Sequence, residues 1–179
     1  MKKALFAALL TTGFLAVAPA QALTVSSSLA SVGDVGRFVL NGFGCTGGNM
    51  SPLVEWRDPP TGTQSFAVTI FDPDAPTGHG WWHWTVFDIP PSVFRLEENA
   101  SATQKLPAAS IEGRTDFGTS GYGGPCPPKG DKPHRYIVMV YALKMAKLGL
   151  SPESQGATVG DALTQNALAT ASVTATYGR

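Results

Sequence analysis

The sequence predicts a mainly β fold, a sandwich of short strands with one or two short helices. Three observations carry that prediction. Short apolar runs recur through most of the chain, separated by turns rich in its 20 Gly and 14 Pro residues, the pattern of buried strands joined by turns. About seven such runs are present, the number expected of a sandwich. A single late segment shows helical spacing instead. With no fixed-period repeat and no low-complexity linker, residues 23–179 read as one domain.

In chain order, residues 1–22 read as a cleaved secretory signal peptide. Lys2 and Lys3 supply the charge, Ala4 to Ala18 is almost wholly apolar, and Ala20-Gln21-Ala22 fits a small-x-small cleavage site. The apolar run is shorter than the ~20 residues that span a bilayer, and no cysteine follows the cleavage site to take a lipid anchor. The expected compartment is the periplasm. Strands are expected at Thr24–Ser28, Gly36–Leu40, Leu53–Trp56, Ser65–Phe71, His83–Ile89, Tyr136–Leu143 and Ser172–Tyr177. The stretch Pro90–Pro107 has no clean period and reads as a surface excursion with a turn of helix. Thr158–Thr170 places Val159, Ala162, Leu163, Asn166 and Ala167 at helical spacing, although Gly160 weakens its first turn.

Charge excludes one class of partner. Without Lys2 and Lys3, eleven basic residues face thirteen acidic ones, a formal charge of −2. Apart from Lys129, Lys132 and Arg135 in one loop, basic residues are scattered, so nothing asks for nucleic acid. Cys45 and Cys126 both outlast leader removal. An even count in an exported chain favours a disulfide over a redox or metal motif, and it would tie two glycine-rich loops together.

Chemistry-bearing residues cluster at strand ends. Asp72-Pro73-Asp74-Ala75-Pro76 ends one strand in a proline turn, where carboxylates ordinarily accept from turn amides. His83 stands between Trp82 and Trp84 at the start of the next strand, and His134 begins another. The two imidazoles and the Asp72 turn can therefore converge at one end of a sandwich. Gly121-Tyr122-Gly123-Gly124 can bring backbone N–H groups to a ligand, or serve only tight turns. Trp81, Trp82, Tyr122 and the prolines can supply apolar walls, with Trp84 the weaker candidate.

Catalysis is the alternative to binding. Gly118-Thr119-Ser120-Gly121-Tyr122 lacks the last glycine of a nucleophile elbow. A disulfide would consume both thiols. His79, His83, His134, Asp72 and Asp74 suffice chemically for a metal-dependent hydrolase but match no preset ligand spacing. No cofactor motif is present.

The segments Asp72-Pro73-Asp74-Ala75-Pro76, Trp81-Trp82-His83-Trp84, and Gly124-Pro125-Cys126-Pro127-Pro128-Lys129-Gly130 through His134-Arg135-Tyr136 together resemble the phosphatidylethanolamine-binding protein family, in its bacterial Raf-kinase-inhibitor-like branch. The resemblance covers about Ser26 to Tyr177. It implies a Greek-key β-sandwich and a small surface pocket for phosphate- or carboxylate-type anions, formed by Asp72, Asp74, Trp81, His83, Gly124, Pro128, His134 and Tyr136. His83 and His134 are expected to donate, Asp72 to orient a donor, and Trp81 and Pro128 to form walls. The implied role is a non-catalytic module that binds a small anion or phosphorylated head group, or that inhibits a protein partner. A homodimer is the assembly common in that branch.

Overall fold

The computed structural model describes residues 22–31 and 35–179, so the leader expected at residues 1–22 lies, except for Ala22, outside the described residues. The strands are β1 (Thr24–Ser27), β2 (Asn41–Gly42), β3 (Cys45–Thr46), β4 (Val54–Arg57), β5 (Ser65–Asp72), β6 (Trp81–Ile89), β7 (Arg95–Leu96), β8 (Ile111–Glu112), β9 (His134–Leu143) and β10 (Ala167–Tyr177). One helix, α1 (Gly156–Asn166), precedes β10, and short 3-10 turns cover Ser28–Ala30 and Val35–Arg37.

The strands form a five-stranded sheet in the order β10-β9-β5-β6-β8, a three-stranded sheet β1-β4-β7, and the hairpin β2-β3. All pairings are antiparallel. In the large sheet β9 returns to lie beside β5, giving the fourth-first-second-third order of a Greek key.

The central strand β5, Ser-Phe-Ala-Val-Thr-Ile-Phe-Asp, is buried along nearly its whole length, because both of its faces are covered. On one face, Phe66, Val68, Ile70, Trp84, Val86, Tyr136 and Val138 meet Leu29, Phe38, Val54, Trp56 and Leu96 in the main core. On the other, Val159 and Leu163 of α1 pack on Ala67, Phe87, Tyr141 and Leu143, each burial contributing about 1.5–3 kcal/mol. The Gly160 that weakens the helix in sequence has a packing reason. A Cβ there would lie 2.6 Å from Trp82 Cη2, and one on Gly156 would lie 2.3 Å from Trp82 Cγ. Both glycines let α1 seat its backbone on the indole.

Four expectations need correction. Gly36–Leu40 is not a strand: its backbone bonds go to separate loops, with Leu40 N–H donating to Pro125 O, and Asn49 N–H and Met50 N–H donating to Val39 O and Arg37 O. The helix ends at Asn166, not Thr170, because from Ala167 the chain alternates in burial and pairs with β9. The last strand is therefore longer than Ser172–Tyr177. The excursion Pro90–Pro107 is not wholly superficial: β7 pairs with β4, and Leu96 and Ala100 are buried. Beyond these four, β2, β3, β7 and β8 are each two residues long, too short to show periodicity.

Candidate functional site

The pairing of β5 with both neighbours builds the site. Because β5 runs antiparallel to β6 and to β9, its last residue, Asp72, arrives where those two strands begin, opposite Trp81 and close to His134. Pro73 turns the chain away, and Asp72 Oδ1 accepts the Asp74 N–H at 2.8 Å. Asp72 Oδ2 accepts from His134 Nδ1 at 2.8 Å, with both side chains almost fully buried. The carboxylate thus fixes the imidazole's orientation and places its proton on Nδ1. His134 Nε2 lies 3.6 Å from Asp131 Oδ2.

Asp74, two residues on, points elsewhere. It accepts the Arg135 backbone N–H at 3.0 Å and a two-pronged contact from the guanidinium, both prongs at 2.9 Å. These bonds hold the Asp74 carboxyl well below the usual carboxylate range and raise Arg135 in turn. The Asp74 side chain is only 11 % exposed because the guanidinium covers it, yet the pair lies at the surface, where solvent screens it. Asp74 braces the β5–β9 corner and does not line the cavity.

His83 is placed by a β-bulge. Ile70 pairs with Trp84 and Phe71 with Trp82, leaving His83 as the extra residue of β6. The bulge suspends simple alternation. Trp82 faces outward onto Phe71, at 4.7 Å between rings, and onto the α1 glycines, whereas Trp84 enters the main core and donates to Glu112 Oε1 at 2.6 Å. Trp82 is therefore a helix seat and not a pocket wall. The His83 ring meets Tyr136 edge-on at 5.2 Å. Its Nδ1–H donates to Gly123 O at 2.7 Å, while Gly123 N–H donates back to His83 O at 2.9 Å. Burial lowers its pKa, against the opposing pull of the Gly123 carbonyl and the Asp72 charge.

The glycine-rich loop serves the frame. Gly123 N–H is spent on His83, and Gly124 N–H donates to Asn49 Oδ1 at 2.8 Å. A Cβ on Gly124 would lie 1.9 Å from Phe38 O, so only glycine fits. These amides are not offered to a ligand. Asn49 also donates to Tyr122 O at 3.3 Å and so cross-ties this loop. Tyr122, expected as a wall, instead donates its hydroxyl to Phe38 O at 3.0 Å within the core. The Cys45–Cys126 disulfide, with 6.0 Å between Cα atoms, joins the β2–β3 hairpin to the same loop.

Around these groups lies a cavity of about 190 Å³ bounded by Asp72, Trp81, His83, Pro128, His134 and Tyr136. Phe43, Phe117, Pro76, Thr77, Cys126 and Pro127 complete much of its wall. The volume is below the ~300–1,000 Å³ of drug-sized sites, so it suits a small group and no acyl chain. Two lining residues carry buried polar atoms without a hydrogen-bond partner, Trp81 Nε1 and Tyr136 Oη. Burial chiefly, with the Asp72 charge, raises the Tyr136 pKa, so it stays a neutral donor; the Cys126 amide opposes that shift. That amide is itself a donor, so the phenolic proton still finds no acceptor. Six of the eight residues expected at the site line one cavity. Asp74 and Gly124 support it from behind.

The sequence reading missed Phe43 and Phe117, which pack together at 5.9 Å, and the cross-tie by Asn49. Asn49 carries a signal in its left-handed φ of 49°, which Asn tolerates, but only structure reveals its partners. His79 is exposed and away from the cavity. Among the described residues, no group of three or more His, Cys, Asp or Glu side chains is placed to hold a metal.

Known proteins share this sequence pattern and this fold. The family model described as phosphatidylethanolamine-binding protein matches residues 29–178. UPF0098 protein YbcL of Escherichia coli is 50 % identical over 164 residues, covering 89 % of this chain and 90 % of its own. UPF0098 protein YbhB of the same organism is 45 % identical over 142 residues, covering 79 % and 89 %. The crystal structure of E. coli YbcL, described as a new member of the mammalian PEBP family, superimposes with a TM-score of 0.85 at 48 % identity, covering 89 % of this chain and 99 % of that one.

Proposed function

Because the chain belongs to the phosphatidylethanolamine-binding protein family, we propose that it is a non-catalytic binding module whose pocket takes a small phosphate- or carboxylate-type anion, free or presented on a lipid head group or a protein partner. One observation carries this reading. Of the four buried side-chain atoms left without a partner among the described residues, two, Trp81 Nε1 and Tyr136 Oη, belong to residues that line this one cavity. A buried unsatisfied donor costs about 1–3 kcal/mol. An oxyanion seated in the cavity has both of these side chains in its wall, beside the His134 ring that Asp72 orients. The periplasm is the proposed compartment, supported by the leader pattern of residues 1–22 and by a disulfide of the kind that persists where oxidising conditions hold.

Titration calorimetry of the oxidised protein with phosphate, phosphoethanolamine and acetate tests the reading. Tyr136→Phe removes one unpartnered donor and little core volume, so it should weaken binding about tenfold while the melting temperature of the unliganded protein holds or rises. Absence of heat for all three anions at millimolar concentration, repeated at a second temperature, would overturn it.

A further inference from the structure

The protein fixes the hydrogen-bonding sense of His83. A carbonyl oxygen only accepts, so the 2.7 Å contact between Nδ1 and Gly123 O requires the proton on Nδ1. Nε2 of the neutral ring then carries a lone pair, and no protein group donates to it. Burial favours the neutral ring. The expectation that His83 donates to an anion is thereby reversed: at neutral pH it is an acceptor.

The rest of the wall points the same way. No Lys or Arg lines the cavity, whereas a buried carboxylate, Asp72, does. Both Asp72 oxygens are engaged, by Asp74 N–H and by His134 Nδ1. A fully deprotonated dianion would meet a lone pair and a carboxylate with no Lys or Arg to offset them. An oxyanion that still bears a proton meets a complementary group instead: its O–H donates to His83 Nε2.

We propose that the pocket selects proton-bearing oxyanions, with the singly protonated phosphomonoester as its ligand class and His83 Nε2 as the specificity-determining atom. The inference rests on the anion-pocket reading above and narrows it. Sulfate and phosphodiesters carry no proton near neutral pH and are rejected, and carboxylates fall behind phosphomonoesters for the same reason.

Three probes without an amine separate the possibilities: monomethyl phosphate, dimethyl phosphate and sulfate, titrated into the oxidised protein between about pH 5 and 8. Monomethyl phosphate should bind about tenfold or more tightly than the other two at the acidic end. Its affinity should then fall about tenfold per pH unit above its second ionisation, near pH ~6. Other ionisable groups surround His83: Asp72 and Asp116 act on its charge, Tyr136 packs on its ring, and His134, which lines the same cavity, has Asp131 Oδ2 3.6 Å from its Nε2. Dimethyl phosphate does not titrate in this range, so its pH profile reports these groups alone, and the ratio of the two affinities isolates the ligand's proton. His83→Gln, whose amide can donate, should narrow the preference over sulfate. If that variant does not fold, the wild-type ratio still decides. Equal binding of all three probes with a pH-independent ratio would overturn this inference and leave the anion pocket standing. No binding by any of them would overturn both.

Discussion

Trp81 and Trp82 are adjacent in sequence and anchor two regions held together in different ways. Trp81 stands in the pocket wall, where Asp72–His134, His83–Gly123 and Gly124–Asn49 each fix one geometry and the disulfide ties the loops. Trp82 forms the seat of α1 by contact alone, between Phe71 and two glycines. Directional bonds let the pocket end leave selected polar atoms open to a ligand. The helix seat has no such freedom, since close packing tolerates neither a gap nor an added methyl group.

The comparison breaks most visibly at the disulfide. Replacing Cys45 and Cys126 with Ala should cost about 4 kcal/mol in denaturant unfolding, and anion affinity should fall with it because Cys126 lines the cavity. Stability lost with affinity intact would mean that the hydrogen bonds alone shape the pocket. Trp82→Ala should come next, costing about 3 kcal/mol while affinity stays within twofold. A larger affinity loss would show that the two regions are coupled.

The smallest effect is one of pH. Burial depresses the folded pKa of His83 below its unfolded value. As pH falls below about 6.5, the unfolded chain takes up a proton that the folded ring does not, so acidification destabilises the fold. The slope for this one group is at most about 1.4 kcal/mol per pH unit. Urea midpoints measured across this range should decline less steeply in His83→Gln than in the wild type. Identical slopes would sink this account of the imidazole.

Most of the fold was legible because β5, β6 and β9 are long and apolar enough for composition alone to mark them. The meeting of Asp72, His83 and His134 followed from their places at strand ends. What was not legible depends on partners distant in sequence. The bulge at His83 set aside the alternation that would have assigned Trp82 and Trp84 to one face. The glycines of residues 121–124 looked like ligand-binding backbone, but His83 and Asn49 had already taken two of their amides. Nor could an isolated histidine reveal which nitrogen holds its proton; that needed the Gly123 carbonyl.

The Cys45–Cys126 link also divides the chain into a covalent ring and the tails on either side of it. Asp72 and His83 belong to the covalent ring closed by that bond, which spans a sequence separation of 81, whereas His134 and Tyr136 belong to the tail beyond it. A single peptide cut within the ring leaves one molecule with its two halves still joined. A cut between Cys126 and His134 leaves β9 and β10, and with them His134 and Tyr136, with no covalent link to the ring. To a protease, the exposed run from Pro128 to Pro133 is where one cut separates the two covalent parts of the pocket.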